Sequence, residues 1–125
     1  MVDLSVFVIR KVQTGFKFDL KAPNGETVLT SEVYTSAAAC RKGIGSVIRS
    51  VAAAGELDLT GEAGEKVPNP RFELYQDKAG RCRFRLRARN GAIIAVSEGY
   101  SNRAGCLGGI TSVRKNAPEA EIVEE

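Results

Sequence analysis

Asn90–Val113, NGAIIAVSEGYSNRAGCLGGITSV, occurs twice in this chain. Asn24–Val47, NGETVLTSEVYTSAAACRKGIGSV, lies 66 residues earlier and repeats Asn-Gly, Ser-Glu, a Tyr two residues on, an Ala, a Cys, Gly-Ile and Ser-Val in register. Over residues 16–51, 14 of 36 positions are identical at that offset. They concentrate on turn glycines and apolar helix positions, as a shared backbone demands. The chain is a tandem duplication, and the rest of it is an attachment to that unit.

Each copy reads as three strands, a helix and a strand. In the first copy Val6–Val12 is rich in β-branched residues. After a turn at Gln13-Thr14-Gly15, Phe16, Phe18, Leu20 and Ala22 alternate with Lys17, Asp19 and Lys21, the period of a strand with one buried face. Asn24-Gly25 is a hairpin signal and predicts a type I′ turn. Thr27–Glu32 is the third strand, with both faces mixed in character. Thr35 or Ser36 can cap the helix that follows. Its apolar stripe is Cys40, Ile44, Val47, Ile48 and Val51, and Gly55 predicts its C-terminal stop. Glu56–Thr60 is a short fourth strand.

The second copy repeats the plan. Its strands are Phe72–Gln76, Arg81–Arg89 and Ile93–Glu98, with turns at Asp77–Gly80 and Asn90-Gly91. Asn102 stands as helix cap, the stripe is Cys106, Ile110, Val113 and Ala117 with Leu107 beside it, and Glu121–Glu124 closes the chain. The division expected is 1–60 for the first repeat, 61–71 for a Pro- and Gly-containing linker and 72–125 for the second. Neither half can bury both its sheet and its helix alone. The two should therefore build one continuous α+β sheet, together one pseudo-twofold domain.

Composition narrows the class. Hydrophobic residues make up 43% and charged residues 26% of 125, ordinary for a globular domain. The apolar runs are too short to span a bilayer. The early Asp of MVDLSVFVIRK and the lack of a basic stretch before it argue against a secretory signal. Three cysteines, two of them at equivalent positions, do not make a disulfide framework, so a reducing cytoplasm is the expectation.

FELYQDKAGRCRFRLRARNGAIIAVSEGYSNRAGCLGGITSVRKNAPEAEIV, and more weakly the first copy, resembles the YegP-like family of small bacterial proteins in its two-repeat form. The resemblance implies a pseudo-dimer: two βββαβ units form a single, mostly antiparallel sheet with both helices on one face, and exchange their last strands. It implies no activity and no catalytic residue. The first copy departs from the pattern at Gln13-Thr14-Gly15, and has Ser50-Val51-Ala52 where the second has Asn116-Ala117-Pro118. A site built from both halves would be asymmetric.

Four features invite a chemical reading. In RCRFRLRAR, Arg81, Arg83, Arg85, Arg87 and Arg89 alternate with Cys82, Phe84, Leu86 and Ala88, placing five guanidiniums on one strand face. With Lys17 and Lys21 they make a candidate anion-binding tract. Against that stands a solvated face paired with Glu73 and near the acidic tail, with Tyr75 the only aromatic residue available for stacking. Cys40 and Cys106 sit in the first helical turns, but on the apolar stripe and in a chain without histidine, so a core role is expected, as for Cys82. Glu32 and Glu98, each in Ser-Glu-x-Tyr with Tyr34 or Tyr100, could pair across a twofold axis. The alternative is that the Glu meets orphan backbone N–H groups while the Tyr packs over the helix. Gly43 and Gly109 lie mid-helix, match no phosphate-loop pattern and suggest close approach of helix to sheet.

The recurring residues Asn24, Gly25, Glu32, Tyr34, Cys40, Gly43 and Ile44, with Asn90, Gly91, Glu98, Tyr100, Cys106, Gly109 and Ile110, are expected to be structural. The expectation is a small monomeric, non-catalytic binding or interaction module of unknown partner, without cofactor, metal or membrane association. The alternative is a nucleic-acid or polyanion binder through Arg81–Arg89, and a cysteine- or carboxylate-based enzyme stands last.

Overall fold

The computed structural model describes residues 5–60 and 66–125, so the first part of the expected linker, 61–65, lies outside it. The strands are β1 Val6–Val12, β2 Gly15–Lys21, β3 Thr27–Ser31, β4 Gly55–Asp58, β5 Arg71–Gln76, β6 Cys82–Arg87, β7 Ile93–Val96 and β8 Glu121–Glu124. Helix α1 covers Ala37–Ala53 and α2 Arg103–Asn116, with a 3-10 turn at Ala117–Glu119. All eight strands form one mixed sheet in the order β4-β5-β6-β7-β3-β2-β1-β8.

The duplication governs the pairing. Thr30 of β3 lies opposite Val96 of β7, its own counterpart at offset 66, so the pseudo-twofold axis passes through that pair. Both last strands are exchanged: β4 runs parallel to β5, and β8 parallel to β1. Ion pairs fasten the exchanged strands to the other copy's helix. Arg103 and Arg114 of α2 hold Asp58 and Glu56 of β4, and Arg41 of α1 holds Glu124 of β8.

Phe7, Phe18, Leu20, Leu29, Phe72, Leu74, Phe84 and Leu86 are shielded from solvent under Ile44, Val47, Ile110 and Val113 of the helices. The aromatic packing recurs. Phe7 meets Phe18 edge-on at 5.8 Å and Phe72 meets Phe84 at 5.9 Å, while Tyr34 stacks on Phe18 and Tyr100 on Phe84. Ser36 accepts from the Ala39 N–H and Asn102 from the Gly105 N–H, so each helix starts at its expected cap.

Two local expectations are corrected, and a third reading gains its physical cause. Among the described residues none other than glycine has positive φ, so the Asn-Gly turns are not type I′. Instead the Gly25 N–H reaches the Ala22 carbonyl and the Ala22 N–H the Glu26 carbonyl, and the second copy does the same at Ala88–Ala92. These are three-residue loops, Pro23-Asn24-Gly25 and Arg89-Asn90-Gly91, in which only the glycine is left-handed (φ 87° in both). Proline has a fixed negative φ and no N–H, which suits the first loop position. Second, Gly55 does not terminate α1: extended Ala54 caps it, and Gly55 already belongs to β4. Third, the mixed character of β3 comes from a bulge. Leu29 faces Leu20 and Thr27 faces Lys21, so Val28 is the extra residue, and Val28 and Leu29 are both buried.

Candidate anion-binding face

Both helices lie on one side of the sheet, which leaves the other side open. The middle of the arginine row projects there. Arg83, Arg85 and Arg87 of β6 are half-buried and stand opposite Tyr75, Glu73 and Arg71 of β5. Arg81 precedes the strand and lies against Gly99. Arg89 occupies the tight turn after the strand and borders a cleft against α1 on the opposite side of the sheet. The expectation of five guanidiniums on one face is therefore corrected at Arg89, because the strand ends at Arg87 and the turn carries Arg89 away.

The three are not a simple solvated row. Glu73 is 1% exposed and is gripped by Arg85 at 2.7 Å, Arg87 at 2.8 Å and Arg71 at 2.7 Å. Burial alone would push its carboxyl up. The hydrogen bonds from Arg85, Arg87 and Arg71 outweigh that and hold it down at about 2. Arg85 also lies over the Tyr75 ring, 4.5 Å from its centre. Arg83 pairs with Asp77 at 2.7 Å and donates to the Ser97 carbonyl. Asp77 in turn accepts from the backbone of Ala79 and Arg81, which ties the turn to the strand.

The first copy inverts the charges. Asp19 stands where Arg85 does; it is buried, bonded to Arg10 at 2.7 Å and accepts from the Thr30 hydroxyl. Lys17 and Lys21 flank it on the same open face. They lie three strand spacings from β6, about 14 Å. The acidic tail is not a neighbour of the arginines: β8 is five strands from β6, about 24 Å away.

Ser-Glu-x-Tyr resolves into a structural device in which the serine, not the glutamate, meets the orphan N–H. Ser31 accepts from the Phe18 N–H and donates to the Glu32 carbonyl; Ser97 does the same for Phe84 and Glu98. The Tyr then rejoins the ladder, Tyr34 with Phe16 and Tyr100 with Cys82. Its ring drops over the helix, and a Cβ on Gly43 or Gly109 would collide with its hydroxyl. Glu32 and Glu98 are exposed. Four residue steps separate them along the central strand pair, about 13 Å, too far for a shared two-carboxylate site.

All three thiols are free and buried. Burial pushes the Cys40 thiol up, and burial together with a hydrogen bond to Cys82 pushes Cys106 up to about 12. Among the described residues no helix is long and apolar enough to cross a membrane, and no three metal-ligating side chains converge.

The fold and this face define a class: a two-repeat α+β protein with exchanged end strands, one helical face and one open, charged face. The chain belongs to the YegP family of UPF0339 proteins, since the model of the domain of unknown function DUF1508 matches residues 13–58 and again 77–124. It is 34% identical to the UPF0339 protein YegP of Yersinia pestis, covering 90% of this chain and 88% of that one. A UPF0339 protein of Treponema denticola is 61% identical over 54 residues, 43% of this chain but 93% of that protein, so one copy can make up nearly a whole relative. The solution structure of yegP from E. coli, described as a protein of unknown function, superposes with a TM-score of 0.79 at 31% identity, covering 100% of this chain and 96% of that one.

Proposed function

We propose that this chain is a non-catalytic binding module that holds an anionic macromolecule on the open face of its sheet. The observation that carries the reading is the cluster on Glu73. Three guanidiniums against one carboxylate leave two positive charges in excess, and their hydrogen bonds hold the side chains in place before any partner arrives. Preorganised side chains lose less freedom on binding. Lys17 and Lys21 add the same sign across the axis. Tyr75 is already covered by Arg85, so phosphate or carboxylate contacts rather than base stacking would carry the affinity. Against an enzyme stand the raised thiols, the separated glutamates and the absence of histidine from the sequence.

Labelled single- and double-stranded nucleic acid titrated at two salt concentrations tests this. The informative variant is Lys17→Ser/Lys21→Ser/Arg83→Ser, which leaves the Glu73 cluster whole; removing Arg85 and Arg87 would strip a buried carboxylate of two partners. Binding should fall steeply with salt. The triple variant should lose up to about three units of the log–log salt slope while staying folded, with a small drop in its thermal midpoint from the lost Arg83–Asp77 pair. No binding at low salt would overturn the polyanion reading.

A further inference from the structure

The duplication also builds a matched pair of clefts on the helix side. One, about 430 Å³, is lined by Ser46, Arg49, Ser50 and Ala53 of α1 and, from the other copy, by Pro70 and the turn residues Ala88, Arg89 and Asn90. The second, also about 430 Å³, is its image: α2 supplies Ser112, Lys115 and Asn116 where α1 has Ser46, Arg49 and Ser50, and the first hairpin supplies Ala22, Pro23 and Asn24. Each cleft thus lies between a helix of one copy and a hairpin tip of the other. This volume is within the range of small-molecule sites.

Their chemistry has diverged. The first cleft is lined by two arginines, Arg49 and Arg89, and among the described residues neither has an ion-pair or hydrogen-bond partner. Ser50, only 6% exposed, lines the same cleft, and its hydroxyl likewise makes no hydrogen bond among the described residues. In the second cleft these features are absent. Proline replaces Arg89, leaving Lys115 as its only cation, and Asn116 is satisfied by donating to Ser112.

We propose that the cleft between α1 and the Ala88–Asn90 turn binds a small multiply charged anion, a phosphate- or carboxylate-bearing metabolite, in a bidentate grip by Arg49 and Arg89 with Ser50 as a further donor. Guanidinium forks match oxyanion geometry, and two of them converging on one pocket suit a ligand with more than one charge. The site lies across the sheet from the open charged face, so it stands or falls independently of the macromolecule reading.

The test is an amide chemical-shift titration of the intact chain with pyrophosphate, citrate and inorganic phosphate. Saturable shifts are expected at Ser46–Ser50 and Ala88–Asn90 for pyrophosphate or citrate, with inorganic phosphate weaker and the Ala22–Asn24 cleft unmoved. Arg49→Ala and Arg89→Ala, both exposed positions, should each weaken that binding about tenfold or more while the rest of the spectrum stays put. Three outcomes would overturn the proposal: Kd values above about 10 mM for all three probes, equal shifts in both clefts, or shifts confined to Arg83–Arg87.

Discussion

At the scale of single residues, Glu73 is the most exposed to failure, because its ionised form is stable only while three arginines surround it. Its carboxyl lies at about 2 in the fold against an ordinary 4.5. A depressed carboxyl adds stability that is fully present above the unfolded value and is lost as pH falls towards the folded one. The difference amounts to about 3 kcal/mol, lost between roughly pH 5 and pH 2. Glu73→Gln should destabilise the protein by about 2–4 kcal/mol at pH 7, since three guanidiniums would crowd a neutral amide. Urea unfolding should then show the gap between parent and variant closing as pH drops through that window. A gap independent of pH would mean the cluster contributes packing rather than charge. Of this site, Glu73 as partner of the arginine strand and Tyr75 on its face were legible from alternation alone. That Arg89 leaves this face was not: alternation assumes that a strand continues, and the loop at Arg89-Asn90-Gly91 ends it.

At the scale of elements, the Tyr34 and Tyr100 rings set how closely helix and sheet approach. Alanine favours a helix over glycine by about 1 kcal/mol. At Gly43, however, a Cβ would meet the Tyr34 hydroxyl, with ring carbon Cζ only 2.6 Å away. Gly43→Ala should therefore destabilise by about 1–3 kcal/mol. Tyr34→Phe removes the nearest atom and should recover part of that loss. A double-mutant cycle by chemical denaturation would read a coupling above about 0.5 kcal/mol. A Gly43→Ala protein more stable than its parent would refute the contact. The strands, helices and caps were readable because period and cap chemistry are local. The turn type was not, because Asn-Gly serves both the two-residue loop and the glycine end of a three-residue loop, and the same three-residue loop forms behind Pro23 and behind Arg89. Nor was the buried side of β3, since the bulge at Val28 breaks the period of two on which such a reading depends.

At the scale of the molecule, strand exchange is the property no local pattern encodes. Neither GELD of β4 nor EIVE of β8 says which neighbour it will join, and the exchange was anticipated only through the family resemblance. Its consequence can be tested. β8 closes the sheet of the first copy beside β1, and β4 that of the second beside β5. A single copy therefore contains a last strand whose seat lies on another copy. Residues 66–125 produced alone should form a twofold dimer in which each β8 lies beside the other chain's β5, as β4 does here. Light scattering coupled to size-exclusion chromatography should give twice the chain mass, with unfolding midpoints that rise with protein concentration. Glu121→Pro removes a backbone donor at the strand's start and should shift that equilibrium towards unfolded monomer. A folded, concentration-independent monomer would show that the last strand can turn back onto its own copy. Fusion of the two repeats would then be a convenience of the fold rather than its requirement. If the dimer forms, fusion makes the partner permanent and frees the two copies to diverge, as Val8 has from Glu73, Asp19 from Arg85 and Pro23 from Arg89.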